Sequence, residues 1–247
     1  MFGAWSAPLR RRSCRAENPS SPFLPGCRHR RRGDRLRPVS SFGPPVSLSG
    51  TILALIRHGQ TEWNRQGRLQ GSSDVPLNDI GRRQVRASAR ALATQDWSAV
   101  VTSPLIRARQ SAAIIAGELS MGTPAVFAGL RERTYGEAEG LTREDAARRW
   151  TAGDYPGQED LTDLGKRGIA ALDAVAHHHP GTAIVVVTHG ALIRAVLTGL
   201  HSEPVPRIAN GAVSTVELTA GAWRVHSVNV AHRAGGGPVA LSASSTE

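Results

Sequence analysis

At 247 residues, with 40% hydrophobic and 20% charged residues, the chain has the composition of a globular protein with a core of its own. Its longest apolar run, Ala183 to Val187, is strand-length and far short of the roughly 18 residues that a membrane-spanning helix needs. The net charge of +10 looks like a nucleic-acid signal until it is divided: residues 1–50 hold ten arginines against Glu17 and Asp34, and the rest carries only +2.

Residues 1–50 contain Arg10-Arg11-Arg12, Arg30-Arg31-Arg32, many prolines and serines, and no sustained apolar periodicity. Such a leader cannot bury enough surface to offset its chain entropy, and it is expected to be disordered. No apolar stretch follows its arginines, which argues against a secretory signal. An extension without function, an organellar transit peptide and a basic nucleic-acid arm stay open, the first favoured. Both cysteines, Cys14 and Cys27, lie here. The body therefore has no disulfide or zinc–thiolate site, which suits a reducing cytoplasm.

From Thr51 the pattern changes. Ile52 to Ile56 is a short apolar run ending at Arg57-His58-Gly59, a strand feeding a loop. Asn78 or Asp79 caps a predicted helix to about Leu92, with Val85, Ala89 and Leu92 on one face. Ala99 to Val101 is a second strand, a helix runs from about Leu105 to Leu119, and Ala125 to Phe127 is a third strand. Leu161, Leu164, Ile169, Leu172 and Val175 form one stripe of a helix from about Glu159 to His177, which Pro180-Gly181 ends. His177-His178-His179 reads as its solvated terminus rather than a metal site. Ile184 to Val187 is a buried strand closed by Thr188-His189-Gly190 and a helix to about Leu200. Val213 to Leu218 and Trp223 to Val228 alternate as a hairpin, and the chain from about Ala234 is Gly- and Ser-rich.

Strands alternating with helices indicate an α/β fold in three layers, α/β/α, with a mostly parallel central sheet. Ligands of such sheets bind beyond the carboxyl ends of the strands. Two of those ends carry His-Gly, at His58-Gly59 and His189-Gly190, and the topology brings them to one edge. Arg57 precedes the first, and Arg107 opens the helix after the second strand. Guanidinium forks match phosphate oxygens in shape and charge. A neutral imidazole among them is a nucleophile able to attack phosphorus.

The stretch Leu55-Ile56-Arg57-His58-Gly59-Gln60-Thr61-Glu62-Trp63-Asn64 closely resembles the signature of the histidine phosphatase superfamily, in its phosphoglycerate mutase-like branch. Gly71, Ser103-Pro104-Leu105-Ile106-Arg107-Ala108, Leu130-Arg131-Glu132-Arg133 with Gly136 and Gly140, and Thr188-His189-Gly190 continue the resemblance. Glu159 with Arg167 fits a weaker element, although Gln158 and Asp160 depart from the usual Gly and Ser. The resemblance covers about residues 51–230, one catalytic domain of phosphoglycerate mutase-like fold, followed by a flexible tail over 231–247.

The resemblance implies roles. His58 would be the nucleophile that becomes phosphohistidine, with Arg57, Arg107 and His189 clamping the phosphoryl oxygens. Glu132 would be general acid, then base; its bland alternative is an ion pair with Arg57 or Arg107. Asn64 would bond the phosphate, Gly71 and the Gly190 amide would help form the substrate site, and Thr61 would stand at the pocket rim. Arg133 and Tyr135 would flank the leaving group, and Arg148, Trp150 and Tyr155 are further wall candidates. No metal or other cofactor is expected.

A hydrolase acting on phosphate monoesters of small metabolites is favoured over a mutase, because the insertion that mutases carry between the acidic segment and the second histidine is absent. Arg143, Arg148 and Arg149 are the basic residues there that such a mutase would use. A non-catalytic phosphate-binding module is the other alternative. Nucleic acid is not an expected partner, since only the leader is basic. The C-terminal strands offer an edge through which a homodimer could form, and a cytoplasmic enzyme is the working expectation.

Overall fold

The computed structural model describes residues 50–233 and 236–239. The leader expectation, apart from Gly50, lies outside them, as do both cysteines. In chain order the elements are β1 (Thr51–Arg57), α1 (Glu62–Arg65), α2 (Asp79–Leu92), β2 (Ala99–Thr102), α3 (Ile106–Glu118), β3 (Ala125–Val126), α4 (Arg143–Arg149), α5 (Leu161–His178), β4 (Ala183–Thr188), α6 (Gly190–Leu200), β5 (Val213–Thr219), β6 (Ala222–Arg233) and β7 (Gly236–Val239). Single 3-10 turns at Ala128–Leu130 and Gly136–Ala138 punctuate the long connection between β3 and α4.

The described strands form one sheet ordered β3-β2-β4-β1-β5-β6-β7. β3, β2, β4 and β1 run parallel, and β5, β6 and β7 continue the sheet antiparallel. β1 and β4 are buried along their whole length, as continuous β-branched and aliphatic runs require when helices cover both faces. The period of two in a strand divides their side chains between two cores. Leu53 and Leu55 of β1 with Ile184 and Val186 of β4 meet Leu164, Leu172 and Val175 of α5 and Leu192, Ile193 and Val196 of α6. Ala54 and Ile56 with Val185 and Val187 meet Val85, Ala89 and Leu92 of α2 and Ala108, Ala112 and Ile115 of α3. These are the three layers, and each fully buried aliphatic contributes about 1.5–3 kcal/mol of transfer free energy.

The predicted helices and strands reappear with ends shifted by a residue or two, except that the last predicted strand runs on from Val228 to Arg233. Asn78 caps α2 by accepting from the Gly81 amide, and Asp160 caps α5 through the amides of Thr162 and Asp163. The hairpin turns on Ala220 and Gly221, both with positive φ. Short α1 and α4 have too few turns to show a period, and so were missed. β6 runs on through residues 231–233 and Gly236–Val239 pair with it as β7, where composition reads as tail. Backbone pairing does not depend on apolar side chains, so a Gly-rich strand has no period-two signature. The remainder of the tail lies outside the described residues.

Candidate active site

β1 and β4 are neighbours in parallel register, with Arg57 opposite Thr188. The next residue on each strand is therefore a histidine leaving the same edge of the sheet. The His58 and His189 rings lie 5.2 Å apart between centroids, tilted by 58°. The strand order reverses beside β1, between β4 and β5, so the pair sits at a switch point of the sheet. The His58 amide donates to the Thr188 carbonyl at 2.9 Å, and the amide of Gly211 donates to the carbonyl of Arg57 at 2.9 Å, holding the end of β1 from both sides. Gly59 faces Gly81 of α2 so closely that a Cβ at Gly59 would stand 2.3 Å from the Gly81 carbonyl oxygen. The His-Gly dipeptide is thus needed for the first turn of α2 to approach the loop.

His58 is buried, and its Nδ1 donates to the Gly59 carbonyl at 2.7 Å. That bond places the ring proton on Nδ1 and leaves the Nε2 lone pair free. Burial, and then the Arg107 and Arg57 cations, hold the His58 pKa well below the usual histidine range. His189 is fully buried and depressed for the same reasons, burial first and then Arg107 and His58 itself. Its Nε2 bonds the hydroxyl of Ser103 at 2.7 Å, and its Nδ1 has no partner among the described residues. Both rings are neutral at pH 7.

Arg107 has no solvent exposure, and two backbone carbonyls hold its terminal nitrogens: Ser73 accepts from Nη1 and Gly71 from Nη2, each at 2.7 Å. Arg57 donates from Nη1 to the Ile208 carbonyl at 2.7 Å. Burial lowers the Arg57 pKa to about 10, against the opposing pull of Glu132, so it stays a cation at neutral pH. The Nε of each guanidinium is buried and has no partner among the described residues. Glu132, 8% exposed, does not ion-pair with either arginine. Its carboxylate accepts from the amides of Arg133 at 3.0 Å and of Ala191 and Leu192 at 3.3 Å. It therefore lies over the N-terminus of α6, where the first amides of the helix have no partner within it. Gly190 opens that helix so near Arg57 that a Cβ would lie 3.1 Å from the guanidinium Nε.

Beside these groups opens a cavity of about 740 Å³, lined by Arg57, Glu132, Arg133, Tyr135, Tyr155 and Gly190 among others. Burial, then Glu132, pushes the Tyr135 hydroxyl up to about 12, so it is a proton donor throughout the physiological range. Arg133 is fastened to the Glu159 carbonyl at 2.7 Å and to Gln158 at 3.0 Å, and its guanidinium stands 5.5 Å from the centre of the Tyr135 ring. Glu159 pairs with Arg167 at 2.8 Å, the weaker element of the sequence reading.

Some expected residues lie elsewhere. Thr61 is fully buried rather than at a rim: its hydroxyl accepts from the Asn64 amide while Asn64 Oδ1 accepts from the Thr61 amide, a reciprocal cap on α1. Asn64 Oδ1 also accepts from Asn210, whose amide nitrogen donates to the His58 carbonyl at 3.0 Å. Gly71 does not line the cavity and reaches the site only through the carbonyl that holds Arg107. Arg148 points to Asp145 on the surface, and Trp150 packs under Tyr155 and Arg149 instead of lining the wall. His177 and His178 bond the carbonyls of Asp173 and Ala174, one turn back on α5.

Sequence reasoning missed Arg194, Arg207 and Lys166, which line the cavity with Arg143. Among the described residues Arg143, Arg194 and Arg207 form no ion pair. Burial and the neighbouring Arg143 cation both depress Arg207. Arg207 precedes β5 with no motif around it, so only the fold could bring it here.

The model of the histidine phosphatase superfamily (branch 1) matches residues 53–231. The uncharacterized phosphatase PhoE of Bacillus subtilis is 36% identical over 185 residues, 73% of this chain and 95% of its own. The metal-independent phosphoserine phosphatase of Arabidopsis thaliana is 30% identical over 196 residues, 74% of this chain and 82% of its own. The structure of mycobacterial glucosyl-3-phosphoglycerate phosphatase with VO3 superposes with a TM-score of 0.65 at 25% identity, covering 72% of this chain and 98% of that one.

Proposed function

The chain belongs to the histidine phosphatase superfamily and is a phosphatase, and from that premise we propose that it hydrolyses monoesters of small phosphorylated metabolites through a phosphohistidine on His58. The observation that carries this reading is the His58 ring itself: neutral, with Nδ1 tied to the Gly59 carbonyl and Nε2 free, beside His189 and two buried arginines.

Glu132 enters the cycle as the protonated acid: as the Nε2 lone pair attacks phosphorus, the bond to the leaving oxygen breaks and that oxygen takes the Glu132 proton. Arg57, Arg107 and His189 hold the three equatorial oxygens as charge builds on them. Glu132, now a carboxylate, takes a proton from water, whose oxygen attacks the phosphohistidine and releases phosphate. Asn64, tied through Asn210 to the His58 carbonyl, and the start of α6 at Gly190 complete the phosphate pocket. Guanidinium groups supply the positive charge, so no metal or other cofactor enters any step.

Arg143 and Arg207, which line the same cavity as Glu132 and Tyr135, favour a leaving group that carries a second negative charge. The names of two relatives fit: phosphoserine and glucosyl-3-phosphoglycerate both hold a carboxylate near the ester. Among the described residues no helix is long and apolar enough to cross a membrane, and the cytoplasm remains the expected compartment.

The test is phosphate release from an aryl phosphate and a panel of phosphorylated acids, with chelator present, for the wild type and His58→Ala. Release that needs His58, together with an acid-labile phosphoenzyme, supports the reading. Transfer between the hydroxyls of a phosphoglycerate without release would make the chain a mutase, and neither activity would make it a binding module.

A further inference from the structure

Glu139, at the end of the Gly136–Ala138 turn, carries a concentration of bonds that the chemistry above does not use. Its Oε1 accepts from the Ser72 amide at 2.9 Å, the Ser72 hydroxyl at 3.0 Å and the Tyr135 amide at 3.2 Å. Its Oε2 accepts from the Ser73 amide at 3.0 Å, the Ser73 hydroxyl at 2.7 Å and the Ser72 hydroxyl at 3.2 Å. Burial alone would raise its pKa, but these bonds prevail and keep it below the ordinary glutamate range.

The turn that Glu139 grips holds Arg107. Gly71 and Ser73 lend it the two carbonyls that accept from Nη2 and Nη1. Gly71 has φ +53, and a Cβ there would lie 2.0 Å from Glu139 Oε1, so the turn can lie on the carboxylate only as glycine. The same carboxylate holds the Tyr135 amide, on the segment that carries Glu132. One side chain thus ties the support of Arg107 to the strand of chain bearing the acid.

We propose that Glu139 is a positioning residue that aims Arg107 at the phosphoryl group by fixing the 71–73 turn. The reading rests on the phosphoryl pocket proposed above. A neutral amide at this position offers one acceptor oxygen and turns its NH2 toward Ser72 and Ser73 donors, so it cannot keep all six contacts, two of which share the single Ser72 hydroxyl proton. Misplacing a clamp by about 1 Å is enough to cost up to 100-fold in rate.

The experiment is a cycle of wild type, Glu139→Gln, Arg107→Lys and the double variant, reading kcat/KM on an aryl phosphate and the Kd of inorganic phosphate by calorimetry. Lysine at 107 cannot span both carbonyls with one fork. Glu139→Gln is expected to lower kcat/KM about 10- to 100-fold and to weaken phosphate at least about 10-fold. In the Arg107→Lys background the further loss should be less than about threefold. Glu137→Gln, which removes an exposed carboxylate of the same turn paired with Arg149, is the control and should change neither quantity. Should Glu139→Gln not fold, Ser73→Ala removes one of the six bonds and should show the same dependence on Arg107, at about threefold.

Equal losses in both backgrounds, or losses that track the unfolded fraction, would overturn the proposal and leave Glu139 a structural tie. The phosphate arm decides even if the wild type turns over no ester, so failure of the phosphatase reading and failure of this one are separable.

Discussion

Two histidines buried side by side among arginines make stability depend on pH in a window where few other groups act. His58 and His189 have pKa values well below the usual range in the folded protein, whereas an unfolded chain gives each about 6.5. Below pH 6.5 the unfolded state binds protons that the folded state refuses, so stability rises with pH and falls as the solution is acidified. Their contribution is complete above about pH 6.5 and is lost downward until the folded values are reached. Each site costs about 1.4 kcal/mol per pH unit in that interval, so moving from pH 7.5 to 5.5 should remove up to about 3 kcal/mol for the pair. The depressed carboxylates, Glu139 and Glu159 among them, act in a lower window, because their stabilisation is lost only as pH falls below the ordinary glutamate value. Half-buried His232 acts in the same direction as the pair and is therefore left in place. Urea unfolding followed by tryptophan fluorescence, for the wild type and His58→Asn/His189→Asn at both pH values, isolates the pair. The same loss in both proteins would refute the reasoning and mean that both rings take up protons in the native state as they do in the unfolded chain.

Other perturbations address the supports of the site. Ser103→Ala removes the partner of His189 Nε2 in a fully buried position; it should cost about 1–3 kcal/mol in stability, read by denaturant midpoint, and about 10-fold or more in kcat/KM. Gly71→Ala forces a Cβ onto Glu139 at positive φ and should destabilise by more than about 1 kcal/mol, a fall of about 3 °C or more in Tm. Arg207→Gln should lower the kcat/KM ratio of 3-phosphoglycerate to glycerol 3-phosphate about 10-fold, and an unchanged ratio would remove Arg207 from substrate selection.

The covalent chain by itself determined the layers and named the residues proposed to react. β1 and β4 announce themselves because strands covered on both faces must be apolar throughout, and a buried strand that stops at His-Gly marks the ligand edge of a parallel sheet. α2 and α5 were legible from their stripes and caps, since the period of 3.6 is a local property. Arg57, His58, Arg107, Glu132 and His189 sit in motif-dense stretches and could be named without coordinates. Tertiary structure decided what depends on neighbours distant in the chain. Thr61 moved from rim to cap because its hydroxyl is captured by the Asn64 amide, and Gly71 lies off the cavity with its carbonyl on Arg107. Arg194 and Arg207 entered the wall because α6 and the loop before β5 pass there, a matter of packing that no local pattern encodes. Glu139 draws its importance from donors on the 71–73 turn, far away in sequence. Local periodicity follows from backbone geometry, whereas the environment of a charge follows from where the other charges and amides come to rest, and only the folded chain settles that.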